Sequence, residues 1–165
     1  MTRGATIRFR PAEIADAAAL APRLIEQDLL EIAAVSGETP LVVLEEGIGS
    51  SWPVLCVETL DGLPLAVFGV VPAREPGPER AGSVWFLATS ELSHHGVAFV
   101  RASRFWLAHL HEHYDVLWNY ADARNPEHLR WLQWCGFAIG QRIENYGVEK
   151  RTFIEITSRM KPAPR

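Results

Sequence analysis

Seven consecutive residues in the middle of the chain, 65–71 (LAVFGVV), carry no polar side chain. A strand of this kind lies inside a sheet that is covered on both faces, because neither of its sides is left for water. The predicted strand at 63–71 follows Asp61-Gly62, which separates it from another apolar run at 54–60. An Asp-Gly pair between two such runs predicts a tight hairpin. The chain is therefore expected to build a layered sheet.

The remaining elements support this architecture. The pattern predicts further strands at 6–10, 84–88, 116–120, 137–143 and 151–156, and helices at 13–24 (interrupted by Pro22), 28–35, from Thr39 to a fading end at 47–49, 97–113, and from Asn125 to Gly136. We expect an α/β (α+β) fold with a mixed, mostly antiparallel seven-strand sheet and helices on both faces. It forms one domain at 1–160, followed by a disordered tail at 161–165.

Composition argues against several functions. The formal net charge of −4, with both signs mixed along the chain, is unlike the basic surface of a nucleic-acid-binding protein. No apolar run approaches the roughly 20 residues of a membrane-spanning helix. The two cysteines have no partner at metal-ligand spacing, and there is no Walker loop, zinc motif or nucleophile elbow. We expect no nucleic-acid partner, no membrane span and no metal site.

The segment 115–137 carries the most information about function. A predicted strand ends in a polar loop, Asn125 is a suitable N-cap for the next helix, and Pro126 suits its first turn. Gly136 and Phe137 then stop the helix and lead into the following strand. One interpretation is purely structural, namely a well-capped crossover helix.

The other interpretation is a family resemblance. Read as N-x-x-H-L-x-W-L-x-x-C-G-F, residues 125–137 resemble the Asn…Tyr…Gly-Phe signature of the GNAT acyltransferases in the spacing from Asn to Gly-Phe. In that family the preceding strand diverges from its neighbour and the pantetheine arm of acetyl-CoA lies in the gap, here between 84–88 and 116–120. The resemblance implies acetyl-CoA as a cofactor. The residues it implies for cofactor binding are Leu87, Thr89, Gly96, Ala98 and Asn125.

The first departure from the family pattern concerns proton transfer. The family's helix usually carries a Tyr one turn before the Gly, which serves as general acid, whereas this chain has Leu132. Tyr120 and Tyr146 are candidate substitutes for that acid. Asp122 is a candidate base, and its alternative role is in a turn or as an N-cap.

The second departure concerns the pyrophosphate loop, which in the family reads Arg/Gln-x-x-Gly-x-Gly/Ala before a helix. Gly96 and Ala98 are small enough, but Val100 replaces a small residue, and His94 and His95 stand in place of the Arg. The two histidines are interpreted as a solvated pair at a helix start, with an anion-binding or catalytic role as the alternative. These departures indicate a degraded cofactor site.

A closer resemblance covers the second half of the chain. Residues 84–90 (VWFLATS), 114–120 (YDVLWNY) and 125–132 look like the small internal virion protein family of podophages, which is itself GNAT-like. This resemblance implies a protein of the host cytoplasm that is packaged in the virion. It also implies contacts with phage structural proteins or with further copies of the chain.

Three hypotheses follow from the sequence. The leading one is a GNAT-fold bacteriophage protein with a role in virion morphogenesis or in the internal virion core, acting through protein contacts. The alternative is an acetyl-CoA-dependent N-acetyltransferase that acts on an amine of a small molecule or a protein. The third is an adaptor without a ligand.

Overall fold

A computed structural model describes residues 6–161. The strands are β1 (Ile7–Pro11), β2 (Val54–Thr59), β3 (Pro64–Pro72), β4 (Ala81–Ala88), β5 (Val116–Asp122), β6 (Ala138–Tyr146) and β7 (Arg151–Arg159). The α-helices are α1 (Ala15–Leu20), α2 (Glu26–Val35), α3 (Pro40–Ser50), α4 (Gly96–His111) and α5 (Pro126–Cys135).

The seven strands form one sheet in the order β1-β2-β3-β4-β5-β7-β6. Every pair of neighbours is antiparallel except β4 and β5, which are parallel. A parallel pair needs a crossover connection, and α4 provides it between these two strands. The expected mixed, mostly antiparallel seven-strand sheet is confirmed.

Helices cover both faces of the sheet, as predicted. The apolar strand β3 is central, and Leu65, Val67 and Val70 have no exposed surface. The helices α1, α2 and α3 pack on one face through a cluster that includes Leu20 and Leu44. The helices α4 and α5 contribute to a larger cluster on the other face. None of the helices within 6–161 is long and apolar enough to cross a membrane.

Two elements extend beyond their predicted bounds because glycine permits close packing there. The helix α3 continues through the predicted fade at 47–49 to Ser50. A Cβ on Gly47 would lie 2.9 Å from the Trp85 ring, so this glycine makes room for the indole and does not end the helix. The strand β4 begins at Ala81, because Gly82 lies where a Cβ would meet Val70 at 2.3 Å.

Smaller differences lie at chain turns. The polar stretch predicted between 89 and 96 forms a 3-10 helix, Ser90–His95, that runs directly into α4. The closing strands are longer than predicted. β6 reaches Tyr146 because it pairs with β7 up to the turn that joins them, and β7 reaches Arg159 because its other end pairs with β5. Of the tail predicted to be disordered, only Lys161 is described, and it is exposed; 162–165 lie outside the described residues.

Candidate functional site

The parallel strands β4 and β5 separate soon after they begin. They pair only over Ala81–Ser83 and Val116–Trp118. Beyond these residues β4 stays with β3 and β5 stays with β7, so a gap opens between them. This gap, which we call the split, is where the sequence analysis expects the two strands to diverge.

One side chain bridges the narrow end of the split. The Asn119 side-chain amide donates to the carbonyl of Val84 at 2.6 Å. Its oxygen accepts from the backbone N–H of Tyr120 at 2.7 Å. The side chain of Asn119 thus makes the hydrogen bond to β4 that a backbone N–H would make in a continuous sheet. No hydrogen bond joins the described parts of the two strands beyond this point.

The β4 edge of the split presents backbone groups without a partner. At the wide end the Ala88 N–H donates to the Asp28 carboxylate at 2.8 Å, and the Ala88 carbonyl accepts from Ile25 at 3.0 Å. Backbone groups alternate in direction along an antiparallel strand, so Phe86 turns its own N–H and carbonyl to the same side as Ala88. No other residue in 6–161 hydrogen-bonds these Phe86 groups. They can therefore bind an extended chain that carries amides.

A cavity of about 430 Å³ passes through the sheet at the split. Its lining on the α1–α3 face includes Ile32, Val35, Val43, Trp85 and Leu87. Its lining on the α4–α5 face includes Phe86, Phe99, Trp106, Trp131 and Leu132. A molecule entering from one face can therefore contact a molecule entering from the other.

The charges in this cavity are all negative. Glu31 from α2 and Glu46 from α3 line it, and no Lys or Arg does within the described chain. His128 also lines it, and burial lowers the pKa of this imidazole to about 4, so the ring is neutral at pH 7. The site is apolar and aromatic, with two carboxyl groups.

Glu31 is the titratable group best suited to proton transfer. Its pKa is raised to about 7, mainly by burial and also by the nearby carboxylates of Asp28 and Asp122, against the opposing effects of the Asp122 backbone amide and Arg124. A carboxyl with a pKa near the working pH can take a proton and release it again. Burial also raises the pKa of Asp28, to about 6, against the hydrogen bond from Ala88.

Sequence reasoning missed Glu31. An acidic residue within a helix normally faces water, and nothing in the local pattern of α2 distinguishes Glu31 from the exposed Glu26. The available signal is the three-residue spacing of Asp28 and Glu31, which puts two carboxyl groups on one helix face. Here that face covers the wide end of the split.

Both tyrosines named as substitute acids lie at the cavity. The rings of Tyr120 on β5 and Tyr146 on β6 are 5.0 Å apart between centroids. Burial is the main cause of a raised pKa at Tyr146, with Tyr120 and Glu31 adding to it, so this hydroxyl keeps its proton. Neither tyrosine hydroxyl hydrogen-bonds another residue within 6–161.

Asp122, the candidate base, is held in an ion pair. Its carboxylate is buried and lies 2.7 Å from the Arg124 guanidinium, and it also accepts from the Arg124 backbone N–H at 2.9 Å. Burial works against ionisation, but the Arg124 side chain and backbone hold the pKa of Asp122 below its usual value. Asp122 is thus the last residue of β5, where its carboxylate stabilises the turn that follows, and Glu31 has the pKa suited to a base.

The five residues named for cofactor binding are spread over three places. Leu87 lines the cavity with its side chain, but its backbone pairs with Val67, so the free backbone groups of β4 are those of Phe86. Thr89 is buried, and its hydroxyl and N–H both donate to the Leu65 carbonyl.

The other three residues lie at helix starts. Gly96 begins α4 with open space where a Cβ would be, and Ala98 packs against the core from the first turn. The Asn125 side chain accepts from the His128 N–H at 3.2 Å, which confirms the predicted N-cap of α5. Leu132, which stands at the position of the family's Tyr, is buried.

Comparison with known proteins bears on the fold. No family model and no curated protein sequence matches the chain. Among solved structures, a chain of the NatC complex bound to Gag peptide and CoA matches with a TM-score of 0.68 at 14% identity, covering 94% of this chain and 99% of that one. A GCN5-related N-acetyltransferase from Kribbella flavida matches with a TM-score of 0.68 at 16% identity over 94% and 98%. The putative acetyltransferase YncA from Salmonella typhimurium, with its cofactor acetyl-CoA, matches with 0.65 at 16% over 96% and 98%.

The chain therefore has the fold of the GCN5-related N-acetyltransferases. Two of these three neighbours come from structures that contain CoA or acetyl-CoA. The GNAT expectation from the sequence is confirmed at the level of fold. Nothing in these neighbours connects the chain with podophage internal virion proteins.

Proposed function

We propose that this protein is an acyl-CoA-dependent N-acyltransferase that acts on an amine. The observation that carries the proposal is the cavity that crosses the sheet at the split. It allows an acyl donor on the α4–α5 face to meet an acceptor on the α1–α3 face, next to Glu31. The alternative hypothesis from the sequence is thus favoured over the leading one.

The residues of the split fit the pantetheine arm of CoA. That arm carries two amides, and the unpaired N–H and carbonyl of Phe86 are complementary to them. The open space at Gly96 suits a phosphate near the start of α4, although the Gly96 N–H already donates to Ser93. When bound, the cofactor would supply a thioester-activated acyl group.

Glu31 would act as the general base. Its carboxylate would accept the proton that the acceptor ammonium must lose before its nitrogen can attack. The bound cofactor would supply the thioester carbonyl that becomes the amide and a thiolate leaving group that takes up the second proton from the nitrogen. Proton transfer by a positioned base contributes roughly 10²–10⁴-fold to such a rate. The products are an amide and CoA, and the proton stays on Glu31 until water removes it.

The leaving sulfur needs less help than a leaving oxygen or nitrogen. A thiol such as cysteine has a pKa of about 8.5, so a thiolate departs readily and is reprotonated near neutral pH. Tyr146 has the same phenol group as the family's missing acid, and its raised pKa keeps it protonated. Leu132 therefore does not exclude transfer.

The experiment is a titration of the purified protein with acetyl-CoA, followed by assays for acetylated amine by mass spectrometry. A ligand at a hundred times its Kd adds about 2.7 kcal/mol of stability, or roughly 5–10 °C in Tm for a chain of this size. We expect binding, and we expect Glu31→Gln to bind acetyl-CoA as the parent does but to lose turnover. No binding at millimolar acetyl-CoA would overturn the proposal.

The virion role stays a prediction, together with the proposed phage partners, oligomer and packaging. Its support is the resemblance of residues 84–90, 114–120 and 125–132 alone. It predicts the protein in purified phage particles, where its absence from good mass spectra would contradict it.

A further inference from the structure

We propose, resting on the acyltransferase function above, that the acceptor is a small primary amine with an apolar alkyl or aryl body and no anionic group. This excludes free amino acids and phosphorylated amines as good acceptors. Charge, shape and volume in the cavity each carry part of the argument.

The charge of the cavity selects against anions. Glu31 and Glu46 are the only charged residues in its lining within the described chain, and His128 is neutral. Arg124, whose charge reaches Glu31, lies outside the lining and is paired with Asp122. An acceptor with a carboxylate or phosphate would bring a third negative charge into a half-buried site, which like-charge repulsion and lost hydration both oppose. An ammonium group, in contrast, is attracted by Glu31.

Two tyrosine rings line the cavity next to the proposed base. Tyr120 and Tyr146 lie edge to face, 5.0 Å apart between centroids, and Glu31 is close enough to contribute to the raised pKa of Tyr146. The faces of such rings attract a cation within about 6 Å. The reacting nitrogen is therefore held on the β5–β6 side, and the rest of the acceptor points away from it.

The rest of the acceptor would meet apolar side chains. Ile32, Val35 and Val43 line this part of the cavity from α2 and α3, with Leu87 from β4. These side chains offer no hydrogen bond to a polar substituent, and the Ser36 and Ser50 hydroxyls that also line the cavity already bond backbone groups. A polar body would therefore lose hydration without replacement, whereas an alkyl or aryl body has no hydrogen bonds to water to lose.

Trp85 limits the size of that body. Its indole N–H donates to the Ser51 hydroxyl at 2.7 Å, and its ring lies against Gly47 on α3. A ring held on two sides is a fixed wall. The cavity of about 430 Å³ has to hold both the pantetheine arm and the acceptor, so little room remains for a long or branched one.

The test uses acceptors that differ in one group only. The series is 2-phenylethylamine, phenylalanine and phenylalanine methyl ester, with butylamine against 4-aminobutan-1-ol, whose far end is polar but uncharged. We expect kcat/KM for 2-phenylethylamine and for the ester to exceed that for phenylalanine by at least about tenfold. We also expect kcat/KM for butylamine to exceed that for 4-aminobutan-1-ol.

A charge variant tests the cause of the preference. Glu46 is exposed on α3, so Glu46→Lys should fold, and it should narrow the ratio of 2-phenylethylamine to phenylalanine several-fold. Calorimetry with 2-phenylethylamine alone, at pH 8 and without cofactor, gives a readout independent of turnover. We expect binding that Glu31→Gln weakens and that phenylalanine does not reproduce.

The outcomes separate this proposal from the proposed function. Acetylation of phenylalanine as fast as of 2-phenylethylamine, a clear preference for 4-aminobutan-1-ol over butylamine, or acetylation of peptides alone would overturn the acceptor class while keeping the acyltransferase. Acetyl-CoA binding with no acetylation of any probe would also overturn it. Failure to bind acetyl-CoA would remove the proposed function and this inference together.

Discussion

The side-chain amide of Asn119 on β5 donates a 2.6 Å hydrogen bond to the Val84 carbonyl on β4. This bond lies just past the three residue pairs that join the two strands. It sets the point from which the split opens, and with it the position of the free Phe86 groups relative to Glu31.

Replacing Asn119 should therefore disturb both the fold and the site. Asn119→Asp keeps an acceptor for the Tyr120 N–H but places an oxygen against the Val84 carbonyl, so we expect a loss of about 1–3 kcal/mol in the free energy of unfolding. Urea unfolding measures this loss, and calorimetry with acetyl-CoA measures the effect on the split. Asn145→Asp, at an exposed position, is the control. Unchanged stability and unchanged affinity in Asn119→Asp would show that the bridge has no role.

Glu31→Gln should make the protein more stable at alkaline pH while lowering its activity. The folded-state pKa of about 7 lies above the ordinary 4.5, so the folded state loses stability as pH rises from about 4.5 to 7 and keeps that loss above 7. The variant removes the ionisation, and its gain in Tm should be small at pH 5 and a few degrees at pH 8. Differential scanning calorimetry at pH 5 and at pH 8 measures this change in Tm, and Glu26→Gln on the same helix is the exposed control. An equal gain at both pH values would contradict the raised pKa.

Asn125 should act on stability through its cap. Asn125→Ala removes the acceptor of the His128 N–H and should cost about 1 kcal/mol, whereas Asn125→Asp keeps an acceptor and should stay within a few tenths. Thermal unfolding of both variants checks this. Titration with acetyl-CoA then isolates any contact with the cofactor, because weaker binding by the stable Asp variant could not come from the helix. An Asp variant as unstable as the Ala variant would contradict the capping role.

Two glycines in α3 should respond in opposite ways to alanine. Gly49 has no atom within 4 Å of a Cβ, so Gly49→Ala should stabilise the helix by about 0.5–1 kcal/mol. A Cβ on Gly47 meets the Trp85 ring, so Gly47→Ala should destabilise the fold or displace the indole into the cavity. Chemical unfolding and the rate with 2-phenylethylamine relative to ethylamine measure the two effects. Stabilisation by both variants would mean that Trp85 is not held against α3.

The sequence predicted the fold well because its strongest patterns are local. The Asp61-Gly62 hairpin, the apolar β3 and the cap at Asn125 each depend on a few neighbouring residues, and all three are confirmed. The predicted ends of α3 and β4 were wrong because in each a glycine packs against a side chain that is distant in the sequence. Gly47 and Gly82 look like breaks in the sequence, yet both lie inside an element, against Trp85 and Val70.

The candidate site was harder to predict, because its chemistry depends on residues far apart in the chain. Glu31 has an unusual pKa only because α2 covers the end of the split. Asn119 is a polar residue within an apolar predicted strand, but the sequence does not indicate its hydrogen-bond partner on β4, which is 35 residues away. The sequence analysis assigned Leu87 to the cofactor, but the free backbone N–H and carbonyl belong to Phe86. Which residues of β4 turn these groups toward the split depends on how β4 pairs with β3, and the sequence does not show that pairing.

The short pairing between β4 and β5 divides the sheet into two half-sheets, β1–β4 and β5–β7. Few backbone hydrogen bonds cross between them, so their relative movement meets little resistance along the split. An extended ligand bound to Phe86 would behave as an eighth strand and would join the half-sheets over the length that β4 and β5 leave unpaired. Amide hydrogen exchange in both strands would then slow together on binding, although they lie on opposite sides of the ligand.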